Sequence, residues 1–166
     1  SCRFGGRLQL GDAEDLAGWP ISRDYHSLTS YILQQNGVKS ITFDLLFHRR
    51  DERHPEYDQA LIDFMSSGPV ALAMAFQSLQ DSARLQRGRY PSRPFQALGE
   101  SVAAVGFSNI GDHPYALRVP VIAESRDGIA YSLGVETARL ALDCDALPKQ
   151  FPLPPRILQD CNDQTY

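Results

Sequence analysis

Three strand-sized apolar segments recur along the chain, each introduced by a stretch with helical spacing, and this alternation constrains the fold most. "VKSITFDLLF" (38–47), "PVALAMAF" (69–76) and "VAAVGFSNI" (102–110) show little polar alternation, as expected of strands covered on both faces. Before the first, "SRDYHSLTSYILQQNG" puts Tyr25, Leu28, Ile32 and Leu33 on one helical face, with Ser22 as N-cap and Gly37 as the glycine stop. Before the second, Pro55 suits the first turn of "HPEYDQALIDFMSSG", which is striped by Tyr57, Ala60, Leu61 and Phe64 and ends at Gly68. "PFQALGES" supplies a short third helix. "RVPVIAES", the turn at Asp127–Gly128 and "IAYS" then predict a hairpin. "SLGVETARLAL" predicts a closing helix with Leu133, Thr137, Leu140 and Ala141 inside. The expected fold is α/β: a largely parallel central sheet with helices on both faces and an antiparallel hairpin at one edge.

At 166 residues, 43% hydrophobic and 22% charged, the chain has the size and balance of one folded domain. A net charge of -4 argues against nucleic acid as partner. Residues 77 to 94 read as a long polar loop. Within it Arg84, Arg87, Arg89 and Arg93 are either solvated or able to capture a phosphate or an acidic ligand. No segment has the roughly 20 apolar residues of a membrane span, and the chain opens without an initiator Met or a signal peptide. It therefore reads as a piece of a longer protein. Residues 1–142 form the expected domain, and 143–166 a proline-rich, extended tail leading toward a membrane segment. Cys2, Cys144 and Cys161 lack metal-ligand spacing and allow either one disulfide or free thiols.

In a parallel sheet, ligands gather beyond the carboxyl ends of the strands. The polar residues just past each apolar segment are Asp44, Gln77 and the pair Ser108 and Asn109. They either converge on a ligand-facing edge or shape their own turns by local hydrogen bonds. Arg23 and His26, three apart at the start of the first helix, either grip an anion or pin that helix through a pair between Arg23 and Asp44. The motifs of serine hydrolases, phosphate-binding loops and zinc proteases are absent, and His48 and His54 have no metal-site partner pattern. No catalytic residue, metal or cofactor is expected. A carboxylate- or metal-dependent hydrolase would need an activity lost in Asp44→Asn.

Gly18, Trp19, Pro20, Arg23 and His26, followed by a helix and an apolar strand carrying Phe43, Asp44 and Phe47, resemble the second type of CHASE domain. This is the cyclase/histidine-kinase-associated sensory extracellular family. "AVGFSNI" and "ALRVPVIAESRDGIAYSLGVETARLAL" resemble its later strand end, hairpin and closing helix, so the likeness runs from about Gly11 to Leu142. The family opens with a longer hydrophobic strand and an acidic turn, where this chain has the shorter, more polar "GRLQLGDAEDL" with Asp12 at the turn. The resemblance implies a periplasmic or extracellular sensor in a bacterial inner-membrane receptor, ahead of a cyclase or kinase. Its ligand would be a small molecule or a protein. The alternative it implies is a ligand-free module that sets homodimerisation or meets a protein partner.

Overall fold

A computed structural model describes residues 21–81, 86–109 and 120–147. The described residues form, in chain order, α1 (Arg23–Gln35), β1 (Ile41–Phe43), α2 (Pro55–Met65), β2 (Val70–Asp81) and β3 (Gln86–Ser92). Then come α3 (Gln96–Ser101), β4 (Ala104–Phe107), β5 (Ile122–Ser125), β6 (Gly128–Tyr131) and α4 (Leu133–Ala141). The strands lie in the order β1-β2-β3-β5-β6, with β4 also on β2.

The sheet is mixed, which corrects the expectation of a largely parallel one. β1 and β4 flank the first half of β2 in parallel, with Phe43 level with Leu72 and Met74 level with Phe107. The second half of β2 turns to β3 in antiparallel pairing, from Ala75 opposite Ser92 to Asp81 opposite Gln86. β5 meets β3 in parallel over two residues, and β5 and β6 form the expected hairpin, turned at Gly128 with φ 109°. The described residues between 77 and 94 are therefore largely strand, where a loop was expected. Pairing there follows the backbone, because Pro91 faces Phe76 at a position where its missing N–H costs nothing.

Large and small residues alternate along the first half of β2 and decide what covers each face. Val70 and Leu72 join Ile41, Phe43, Leu61, Met65, Phe95 and Leu98 in a buried cluster beneath α2 and α3, with Leu33 of α1 against its edge. Ala71 and Ala73, with Ala104, meet Leu133 and Leu140 of α4 on the other face. Small side chains let that helix sit close. A Cβ at Gly106 would stand 2.6 Å from the Leu133 Cα, so β4 needs glycine where α4 begins. Ser132 caps that helix by accepting from the Val135 N–H at 3.4 Å.

Three expectations about faces are revised. β1 alternates, burying Ile41 and Phe43 while Thr42 and Asp44 are exposed, so it is an edge strand and is not covered on both faces. α1 buries Ser27 and Ser30 and leaves Ile32 49% exposed, because it packs on α2 through small residues. α4 buries Glu136 and Arg139 beside Leu133, while Leu140 and Thr137 are only half-buried. Ser22 stands at the α1 N-cap without a side-chain cap bond, and Gly37 takes φ 72° after that helix as expected. Gly18, Trp19, Pro20, Asp12, Cys2, Cys161 and the proline-rich tail beyond 147 lie outside the described residues.

Candidate functional site

The three parallel strands do bring the carboxyl ends of β1 and β4 to the same side of the sheet, but at different heights. Asp44 follows Phe43 and so stands level with Ala73, whereas Asn109 stands level with Phe76. Three residues of rise separate them, about 10 Å along β2. Gln77, expected just past its strand, lies inside β2, one residue beyond Phe76, and is exposed, because β2 continues to Asp81 in its ladder with β3. Asp44 is exposed and makes no hydrogen bond or ion pair among the described residues, which answers the cost of a carboxylate after an apolar run: it is never buried.

The remaining sequence-selected residues hold the framework together. Asn109 accepts from the Phe76 N–H at 2.5 Å and donates to the Phe76 carbonyl at 2.8 Å, so its amide continues the β2–β4 ladder as a strand residue would. One step earlier, the Ser108 N–H donates to the Met74 carbonyl at 3.0 Å. Beneath them the Phe76 ring packs against Phe107, with centroids 5.7 Å apart.

Arg23 pairs with Asp58 of α2, not with Asp44. It also donates to the Arg49 carbonyl, and its guanidinium lies 5.9 Å from the Phe47 ring centroid and 5.6 Å from that of Phe95. A planar cation suits a place between two rings and a carboxylate. Asp58 is buried and takes a second bond, from the Asp51 N–H at 2.9 Å. The Asp51 carboxylate in turn accepts from the N–H groups of Arg53 and His54. Although burial pushes Asp51 up, those two bonds and the nearby Arg23 and His54 charges together lower its pKa below the usual carboxylate value. His26 packs edge-on against Phe43 and Phe47, at 5.7 and 5.6 Å. Burial lowers its pKa below 6.5, with Asp24 opposing and Arg23 assisting.

The sequence reading passed over Asp58, Glu136 and Arg139. A signal was available: Asp58 shares a helical face with Leu61 and Met65, and Glu136 and Arg139 share one with Leu133. Arg139 donates through Nε to Glu136 at 2.8 Å, and through its terminal nitrogens to the carbonyls of Cys144 and Ala103 at 3.0 and 3.2 Å. It thereby ties the turn after α4 to the start of β4. Cys144 is disulfide-bonded.

Two cavities among the described residues are lined by other parts of the chain. The larger, about 560 Å³, is lined by β3 residues Gly88–Pro91 and by Glu124, Ser125, Arg126 and Asp127 around the β5–β6 turn. The smaller, about 260 Å³, is lined by the start of β4, by β6, and by Arg93, Ser125, Asp127, Tyr131 and Glu136. Burial, and then the Glu136 charge, raises the Tyr131 pKa above its usual value of 10.0. None of Arg23, His26, Asp44, Gln77, Ser108 and Asn109 lines either cavity. Among the described residues no three His, Cys, Asp or Glu side chains are grouped as metal ligands, and no helix is long and apolar enough to cross a membrane.

No curated protein and no solved structure matches this chain. The family model of the CHASE2 domain matches residues 10–163, nearly the whole length. A helix–strand–helix start locked by Arg23, the Asn109 strand end and the hairpin leading into α4 all fall within that match, so the chain belongs to the CHASE2 family of extracellular sensory domains of signalling receptors.

Proposed function

We propose that the chain is the periplasmic sensory portion of a bacterial inner-membrane receptor whose output is a cyclase or a kinase, and that it signals by binding a ligand. The CHASE2 match over residues 10–163 carries this reading. A disulfide at Cys144 agrees with an oxidising compartment outside the cytoplasm. Signalling is then a population shift, limited to the difference in the ligand's affinity for two arrangements of the domain.

The rim at the carboxyl ends of β1 and β4, beside the middle of β2, is one face on which such a ligand would act. Asp44 and Gln77 are its solvent-offered side chains, and Ser108, Asn109, Arg23 and His26 shape the backbone and the helix beneath them. A thermal-shift screen of metabolites, repeated on Asp44→Ala and Gln77→Ala, tests the rim. Loss of a hit in either variant supports it, whereas a hit that both variants bind unchanged places the ligand elsewhere. In the full-length receptor, output that responds to no compound and no partner would remove the sensory reading itself.

A ligand-free module that sets dimerisation is the second reading. It is favoured by the closed Arg23–Asp58 core and by the neighbouring exposed apolar residues of α1, Tyr31 at 40% and Ile32 at 49%. Sedimentation decides it: a dimer that Ile32→Lys dissociates supports this reading, and a monomer at all concentrations removes it.

A further inference from the structure

The geometry points to a small organic oxyanion, a carboxylate or a phosphate ester, as the occupant of the cavity between β3 and the β5–β6 turn, held by Arg89 and Arg126 beside the ring of Tyr90. This deepens the sensory reading and rests on it for the purpose of binding, though not for binding itself.

Four observations meet at this place. The cavity, about 560 Å³, has the volume of a metabolite site and opens to solvent. Arg89 and Arg126 both line it, both are exposed, and neither makes a hydrogen bond or ion pair among the described residues. Elsewhere in the fold, Arg23 and Arg139 are each committed to a carboxylate and to backbone carbonyls. Each unengaged guanidinium at this concavity offers a planar fork of donors that matches the paired oxygens of a carboxylate or phosphate.

Tyr90 supplies the third observation. It has φ 51°, a left-handed conformation that a bulky side chain rarely adopts, and its side chain remains 71% exposed. Strain of this kind persists where the surroundings enforce it, and here it presents an aromatic face at the cavity with no core-packing role to account for it. Gly88, also on the lining, lets β3 lie directly on the Phe76 ring, which a Cβ would approach to 2.5 Å. The floor is thus rigid where the wall is strained.

The charges on the lining give the fourth. Glu124 and Asp127 face the same space, and Asp127 already pairs with Arg93 at 2.9 Å. The site therefore holds a carboxylate on an arginine of its own, and counting Arg93 there are three cations to two anions. The Arg93–Asp127 pair is about half-exposed on both sides, so it is weak and exchangeable, and an incoming acid can compete with Asp127 for Arg93. Ser125 and Asp127 also line the smaller cavity, beside Glu136. Through these two shared residues the site adjoins Glu136, the carboxylate that holds Arg139 within α4.

The test is calorimetric titration of the chain with succinate, citrate and glycerol phosphate, each beside an uncharged counterpart (succinamide, the citric triamide, glycerol). We expect at least one anion to bind with Kd below about 1 mM while its counterpart does not. The double variant Arg89→Ala with Arg126→Ala should weaken that binding about 10- to 100-fold with an unchanged melting temperature. Which anion binds separates the carboxylate from the phosphate. Absence of binding by all three anions, or binding that the double variant or the uncharged compound reproduces, overturns the proposal. The receptor's output is read in parallel. An anion that binds through Arg89 and Arg126 but leaves output unchanged keeps the site and removes its sensory purpose. Output that the same anion changes equally in the double variant removes the site and keeps the sensor.

Discussion

Beside the first half of β2, Arg23 and Arg139 are spent, and beside its second half Arg89 and Arg126 are free. Arg23 is held by Asp58, the Arg49 carbonyl and two aromatic rings, and Arg139 by Glu136 and two further carbonyls. Arg89 and Arg126, on β3 and in the β5–β6 turn, have no such partners among the described residues. A guanidinium taken out of water must recover its solvation from fixed acceptors, so burial and partnering come together in the first region. In the second, water supplies the solvation and no fold element depends on the charge. The difference teaches where to look for function in this domain: the arginines that the fold needs are the ones a ligand cannot have.

The sharpest way to break that contrast is to remove one arginine from each region. Arg23→Ala leaves Asp58, only 8% exposed, without its cation and should cost about 3–5 kcal/mol of stability. Arg126→Ala should stay within about 0.5 kcal/mol of the parent. Chemical denaturation of both variants measures this, and equal losses would erase the distinction between the regions.

A second, smaller effect tests the seam between them. Asn109→Ala strips the Phe76 N–H and carbonyl of their partners and should cost about 1–3 kcal/mol, with faster amide exchange at Phe76. If exchange there is unaltered, the amide does not continue the ladder and its role lies elsewhere.

The smallest effect is set by pH. His26 has a folded pKa below 6.5, so the unfolded chain binds a proton that the folded chain resists. Stability is therefore full above about pH 6.5 and declines as pH falls through the folded value. Melting temperatures taken from about pH 7.5 down to about 5.5 should fall, and less steeply in His26→Phe. A slope that His26→Phe leaves unchanged would assign the pH response to other groups.

Much of the first region was legible from residue spacing. Periodicity and glycine stops located α1, α2 and the apolar start of β2, and the Asp127–Gly128 turn located the hairpin. What periodicity misses is pairing that does not depend on an apolar face. β3, with Arg87, Gly88, Arg89 and Pro91, has no hydrophobic pattern and is held by its ladder to β2. The charged cores were hidden for a related reason: Asp58, Glu136 and Arg139 occupy inward positions, and a stripe drawn from apolar residues alone skips them. Among the selected site residues, Asn109 stands just past a strand, as its position in the sequence implied. Its role is structural, because a short amide placed one step past a strand can substitute for the next peptide group.

Twelve residues of unbroken strand run from Val70 to Asp81, a length of about 40 Å. One half is clasped between helices, and the other half underlies a strained tyrosine and unclaimed cations. A rod gripped at one end behaves as a cantilever: a slight deflection where it overhangs is borne as torque where it is clamped. Here the clamp includes α4, which β2 shares with β4 and β1, so a tilt begun at the hairpin would arrive at the last of the described helices.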